Sequence, residues 1–220
     1  MDSREALLGA LATGLDGVEL DVQFTADSVL VAFHDLELDE RTACTGPVHS
    51  RSWVQLKNCP NEERADHPYP IVRVDSLLLD AAQRFPNAEF TLDVKLNTQG
   101  EWWPYLNAFS DAIRALAMRP ELVGRVIMEC QTEDLLGLMH DKTAEVPLHL
   151  YGTGPGAAIE RASALGCAGI TINNDLVSQA DVARAKEQGL QVTLFGISGQ
   201  WELREALDKE PDRIQLDHDR

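Results

Sequence analysis

Short runs rich in β-branched residues alternate along this chain with longer stretches whose apolar positions recur at helical spacing. Residues 17–24 (GVELDVQF) and 29–33 (VLVAF) predict strands, as do 89–96, 124–130, 146–151, 168–172, 190–197 and 213–217. Helices are predicted over 3–13, 76–85, 103–118, 133–140, 156–165, 179–188 and 200–207. The first opens on the capping pattern Asp2-x-x-Glu5 and stops at Gly14, while Pro86, Pro120, Gly166 and Gly189 follow the ends of others. Strand–helix repetition with short connections predicts an α/β fold, a parallel sheet wrapped by helices. The number of repeats favours a TIM (β/α)8-type barrel over an open doubly wound sheet. No G-x-G-x-x-G or P-loop opens any helix, which argues against nucleotide binding. With 29–33 counted as an excursion, the series begins on a helix and ends on a strand. A first strand before residue 3 and a last helix after residue 217 are therefore expected to be absent from this chain. Residues 36–70 have little periodicity and many turn formers, and read as an insertion in one domain spanning 1–220.

Composition narrows the class without choosing the chemistry. The 220 residues are 44% hydrophobic and 25% charged, as in an ordinary globular domain, so disorder is excluded. No apolar run reaches the ~20 residues of a membrane-spanning helix, and no basic-then-apolar leader pattern opens the chain. Acidic residues number 36 against 19 basic, a net charge of −17. That surface repels phosphate backbones, so nucleic acid is not an expected partner. Cys44, Cys59, Cys130 and Cys167 are scattered with no C-x-x-C spacing. They read as reduced, idle thiols of a cytoplasmic protein. The sequence is silent on oligomeric state.

Two predicted strands break the continuous apolar pattern that a buried parallel strand normally shows. In Val18-Glu19-Leu20-Asp21-Val22 the carboxylates are two apart and share a face, with the apolar residues on the other. In Leu92-Asp93-Val94-Lys95-Leu96 the same interruption recurs, with Asp93 and Lys95 on one face. Glu19, Asp21 and Asp93 are thus candidate ligands of a divalent cation, Mg²⁺ or Ca²⁺, which hard carboxylate oxygens suit. Lys95 is a mobile charge beside them, fit for an anionic oxygen such as phosphate. His34 leaves the end of the 29–33 run, where barrel active sites are built, and histidine is the side-chain type suited to proton transfer near neutral pH. Gln131 and Phe195, near other strand ends, are candidate substrate contacts. Trp102-Trp103 read as packing at a helix start, Gly152–Gly156 as a plain loop before a helix, and His149 as a strand residue that lines the barrel. His49, His67, His140 and His218 read as structural or solvent-facing.

These residues resemble a family. Residues 14–23 (GLDGVELDVQ) are similar to the G-A-D-x-V-E-L-D-V-Q segment of glycerophosphodiester phosphodiesterases. Residues 29–35 (VLVAFHD) resemble that family's strand ending in a catalytic His-Asp pair. Leu38, Arg41, Thr42 and Gly46 resemble its L-D-R-T-T-x-x-G loop, with the spacing broken at Glu40. Residues 91–95 (TLDVK) resemble its I-E-I-K strand with Asp93 for Glu, and Phe195 sits where the family usually has the Trp of V-x-x-W.

The resemblance implies a metal-dependent phosphodiester hydrolase that splits small glycerophosphodiesters into glycerol 3-phosphate and an alcohol. Glu19, Asp21 and Asp93 would bind the metal, Lys95 would add positive charge, and His34 would be one of two catalytic histidines. The family's opening His-Arg-Gly strand has no counterpart in this sequence, so the chain as written is expected to turn over weakly or not at all while still binding a cation. Two alternatives stand beside that reading. One is an impaired family member acting as a binding or regulatory protein. The other is a sphingomyelinase-type phospholipase on the same barrel.

Overall fold

The computed structural model describes residues 3–62, 68–98 and 100–216. The chain forms two compact units, residues 1–126 and 127–220.

The first unit is organised around β1 (Gly17–Phe24). Along it Leu20, Val22 and Phe24 are buried apolar residues, alternating with the polar series Glu19, Asp21 and Gln23. Helix α1 (Arg4–Ala12), whose buried residues are Leu7 and Leu11, packs against this strand. Its N-cap is Ser3, whose hydroxyl accepts from the amide of Ala6 at 3.1 Å. The helix therefore starts on Ser3 rather than on the Asp2 pattern, and Asp2 lies outside the described residues. Gly14, with φ of +94°, turns the chain out of the helix in a conformation that a side chain would strain. The strand expected at 29–33 is β2 (Leu30–Ala32), antiparallel to β1 and so an excursion from the parallel series. It pairs in turn with a strand that periodicity misses, the two-residue β3 (Val72–Arg73).

The chain between β2 and β3 is more ordered than its lack of periodicity suggests. It holds two 3₁₀ turns, Leu38–Glu40 and Val48–Ser50, and the short helix α2 (Trp53–Leu56). Leu38, Val48, Leu56, Cys59 and Ile71 form a cluster with Val31 and Phe33. Cys44 and Cys59 are joined by a disulfide that closes this region across 15 residues. The expectation of idle thiols is corrected for this pair: the cluster brings the two sulfurs together, which linear spacing does not reveal. Cys130 and Cys167 are free and buried, as expected. His67 lies outside the described residues.

Helix α3 (Val74–Arg84) buries Val74, Leu77, Leu78, Ala81 and Ala82, the three-and-four spacing of one helix face. It leads to β4 (Glu89–Val94), which pairs parallel with β1, and then to α4 (Trp102–Ala117).

The second unit repeats strand and helix without interruption. It runs β5 (Val126–Cys130), α5 (Glu133–Lys142), β6 (Leu148–Gly152), α6 (Pro155–Ala164) and β7 (Gly169–Asn173). Then follow α7 (Gln179–Glu187), β8 (Gln191–Ile197), α8 (Gln200–Asp208) and β9 (Arg213–Leu216). The strands pair in parallel and in chain order. Asp217, the last residue of the expected strand, and His218 lie outside the described residues. Gly152 ends β6 where α6 comes close: a Cβ there would lie 2.5 Å from that of Ala158. Gly154 and Pro155 then start the helix, so the 152–156 stretch is a helix approach, as its sequence suggests. His149 is fully buried on β6, its Nδ1 3.3 Å from the hydroxyl of Thr193.

Candidate active site

Strand alternation and register bring the chemistry of the first unit together. In the parallel pair β1–β4, Asp21 lies beside Asp93 and Glu19 beside Thr91. Glu19 is exposed, whereas Asp21 and Asp93 are buried. Glu19 and Asp93 each present a carboxylate oxygen, and the two lie within 4.8 Å of one another. That is close enough for one hard cation to contact both.

Lys95 sits just past β4, where its amide donates to the carbonyl of Val22 at 3.0 Å and extends the pairing with β1. Its Nζ is 3.0 Å from Asp21 Oδ1 and 2.5 Å from Asp93 Oδ2. The mobile point charge read from the sequence is therefore a held one, shared by two carboxylates. Burial by itself would pull its pKa down, but the negative charges of Asp21 and Asp93 outweigh burial and hold the ammonium above its ordinary value. Asp93 goes the other way. Burial raises its carboxyl pKa, Lys95 pulls it back, and the charge of Asp21 pushes it up again. Two buried carboxylates with one ammonium carry a surplus of negative charge, and the adjoining Glu19 adds to it. This donor set fits a divalent cation.

His34 follows β2, and its side chain is 57% exposed. Its Nδ1 is 2.6 Å from Asp35 Oδ1, while Arg41 Nε donates to Asp35 Oδ2. Asp35 itself is buried. The backbone here is fixed from β1: Phe33 N donates to Asp21 O at 3.0 Å. Gln23 Nε2 donates to Phe33 O at 2.9 Å and to Asp35 O at 2.6 Å. Gln23 continues the face of Glu19 and Asp21, and that two-residue step was the signal that could have marked it. Asn97 Nδ2 reaches Leu36 O at 3.4 Å, linking the segment after Lys95 to the segment after His34. Trp102 opens α4 and stacks on Tyr105 with ring centroids 6.2 Å apart, the helix-start packing expected of it.

The remaining expected site residues lie in the second unit. Phe195 on β8 packs against Tyr151 on β6 with centroids 4.9 Å apart, and Gln131 is exposed just after β5. Two residues before Gln131, Glu129 and its partners were missed by sequence reasoning. Glu129 is a buried carboxylate that accepts from Thr171 Oγ1 at 2.7 Å and from Gln215 Nε2 at 3.1 Å. Buried acids are rare unless paired, and strand alternation alone could have flagged this one.

The model of the glycerophosphoryl diester phosphodiesterase family matches residues 1–218. Among curated proteins, the uncharacterized protein YqiK of Bacillus subtilis (strain 168) is 30% identical over 86 residues, covering 39% of this chain and 35% of that relative. Solved structures share the fold across nearly the whole chain. A Silicibacter pomeroyi DSS-3 protein, reported as a candidate glycerophosphoryl diester phosphodiesterase, superposes with a TM-score of 0.88 at 18% identity, over 98% of this chain and 84% of its own. A glycerophosphodiester phosphodiesterase from Parabacteroides distasonis ATCC 8503 gives 0.81 at 18% identity, over 98% and 85%. An Oleispira antarctica phosphodiesterase in complex with the product sn-glycerol-3-phosphate gives 0.79 at 18% identity, over 98% and 87%. The α/β, TIM (β/α)8-type class expected from the sequence is the fold these structures have.

Proposed function

The chain belongs to the glycerophosphoryl diester phosphodiesterase family, and on that premise we propose that it is a metal-dependent hydrolase cleaving glycerophosphodiesters to glycerol 3-phosphate and an alcohol. The observation that carries the reading is the meeting of Asp21, Asp93 and Lys95 across β1 and β4, with His34 and Asp35 just past the end of the adjoining strand β2. We read residues 1–220 as one family domain with an insertion at about 36–70; the family match, which runs across both compact units, supports this.

The residues divide the work by their chemistry. Glu19, Asp21 and Asp93 would hold the cation, Mg²⁺ or Ca²⁺. When bound, it supplies Lewis-acid polarisation of the phosphodiester and offsets developing charge. Lys95, kept protonated by its two carboxylates, offers positive charge to a non-bridging phosphate oxygen. Asp35 accepts from Nδ1 of His34, which leaves Nε2 as the atom that takes or gives the proton. Phe195 and Gln131 are proposed substrate contacts.

Among the described residues no helix is long and apolar enough to cross a membrane. Sequence alone favoured the cytoplasm, but the Cys44–Cys59 disulfide supports an oxidising compartment. The same disulfide is the observation favouring the second reading, a sphingomyelinase-type phospholipase.

A substrate panel tests both. Glycerophosphocholine, glycerophosphoethanolamine, sphingomyelin and a lysophospholipid are incubated with the protein and either cation, with and without chelator. Weak, chelator-sensitive release of glycerol 3-phosphate, lost in Lys95→Ala and His34→Ala, is expected. Cleavage of sphingomyelin alone would favour the second reading. Calorimetric cation binding without turnover would mark a binding member of the family.

A further inference from the structure

Arg41 lies in the insertion, outside the strands that carry the carboxylates and the lysine. Its side chain nevertheless ends on the carboxylate that His34 uses. Both oxygens of Asp35 are engaged by different donors: Oδ1 faces His34 Nδ1 at 2.6 Å, and Oδ2 accepts from Arg41 Nε. The carboxylate is buried, while the imidazole it faces is mostly exposed. We propose that Arg41 is a positioning residue for the reaction, acting on His34 through Asp35; this rests on the reading of His34 as the proton-transfer group.

An exposed imidazole has little packing to fix its ring, so its orientation and tautomer depend on the partner at Nδ1. Asp35 can fix them only if its own carboxylate plane is fixed. Gln23 holds the Asp35 carbonyl, but that leaves the side-chain torsion open. A guanidinium N–H on Oδ2 closes it, because a charge-assisted bond from a planar donor sets the plane as well as the distance. Lysine, a rotating point charge, would neutralise Asp35 without setting its plane.

Arg41 is itself held independently of His34. Its amide donates to Leu38 O at 3.3 Å, and its carbonyl accepts from Glu62 N at 2.6 Å. The neighbouring Thr42 bridges to Asn61, and the Cys44–Cys59 disulfide closes the same two segments a few residues further on. The insertion thus delivers Arg41 from a braced frame.

The test reads the imidazole directly and needs no turnover. Long-range ¹H–¹⁵N spectra of the ¹⁵N-labelled full chain are recorded above neutral pH, with His34→Gln to assign the signal. Nδ1-protonated His34 is expected in the unaltered protein. Arg41→Ala and the longer Arg41→Gln are expected to shift it toward the Nε2-protonated form, with Arg41→Lys restoring only part of the original signal. In the substrate assay kcat should fall ~10-fold with KM nearly unchanged, a fraction of the full effect of general acid–base catalysis. An unchanged His34 signal in a folded Arg41→Ala or Arg41→Gln protein would overturn the proposal, whatever the kinetics. A large rise in KM would overturn it too, by placing Arg41 on the substrate. An inactive protein whose His34 signal still follows Arg41 would keep the positioning role and sink the catalytic reading instead.

Discussion

Asp21 and Asp93 stand side by side in the register of two parallel strands and share one ammonium, that of Lys95. Adjacent buried carboxylates repel, so this register is tolerable because a cation lies between them.

Replacing Lys95 by Met removes that charge while keeping much of the volume. A stability loss of about 3 kcal/mol is expected, the lower end for breaking a buried ion pair because the site is not fully dry. Added Mg²⁺ or Ca²⁺ should raise the melting temperature of Lys95→Met more than that of the unaltered protein. Thermal melts with and without chelator check this, and equal cation responses would contradict it.

Opening the Cys44–Cys59 link, by reduction or by Cys44→Ser with Cys59→Ser, should cost about 3 kcal/mol on the loop-entropy estimate for a 15-residue closure. The measurable signature is local. Limited proteolysis should cut between residues 44 and 59 in the reduced protein well before it cuts elsewhere.

Gln23→Leu takes a shared donor from two carbonyls, those of Phe33 and Asp35. Leaving such groups short of a partner in a buried place costs about 2 kcal/mol. Cation binding, measured by calorimetry, should change little, whereas any turnover should fall because the backbone carrying His34 is loosened.

His149 gives the stability a pH dependence. Burial, helped by the positive charge of Arg213, depresses its pKa from 6.5 to about 4, against the opposing effects of Gln191 and Asp212. The unfolded chain then takes up a proton near pH 6.5 that the folded chain refuses until about pH 4. Stability from this residue is complete above the unfolded value and is lost as pH falls through that window, by up to about 3 kcal/mol. Urea titrations at several pH values should show a slope that flattens in His149→Gln.

Much of this architecture is legible in the sequence. Strand and helix positions follow from periods of two and of three to four, and most boundaries fall within one to three residues of the observed ends. The same period of two placed Glu19 with Asp21 and Asp93 with Lys95, since alternation is a local rule of the backbone. What stayed hidden depends on contacts between distant segments. Arg41 meets Asp35, Cys44 meets Cys59, and Val72–Arg73 pairs with β2 only after the insertion has folded back. A two-residue strand has no period to detect, and a cysteine pair has no spacing rule once the loop between its members is irregular.

The insertion leaves and rejoins the sheet through two antiparallel neighbours, β2 and β3, where Val31 faces Arg73 and Ala32 faces Val72. Its two ends are therefore pinned about 5 Å apart, the ordinary spacing of paired strands. The carboxylates and Lys95 belong to the neighbouring pair β1 and β4. The protein is thus divided like a handle with exchangeable heads: provided the Arg41–Asp35 contact is kept, a loop of different length or composition can be spliced onto β2 and β3 while the charge cluster stays in place.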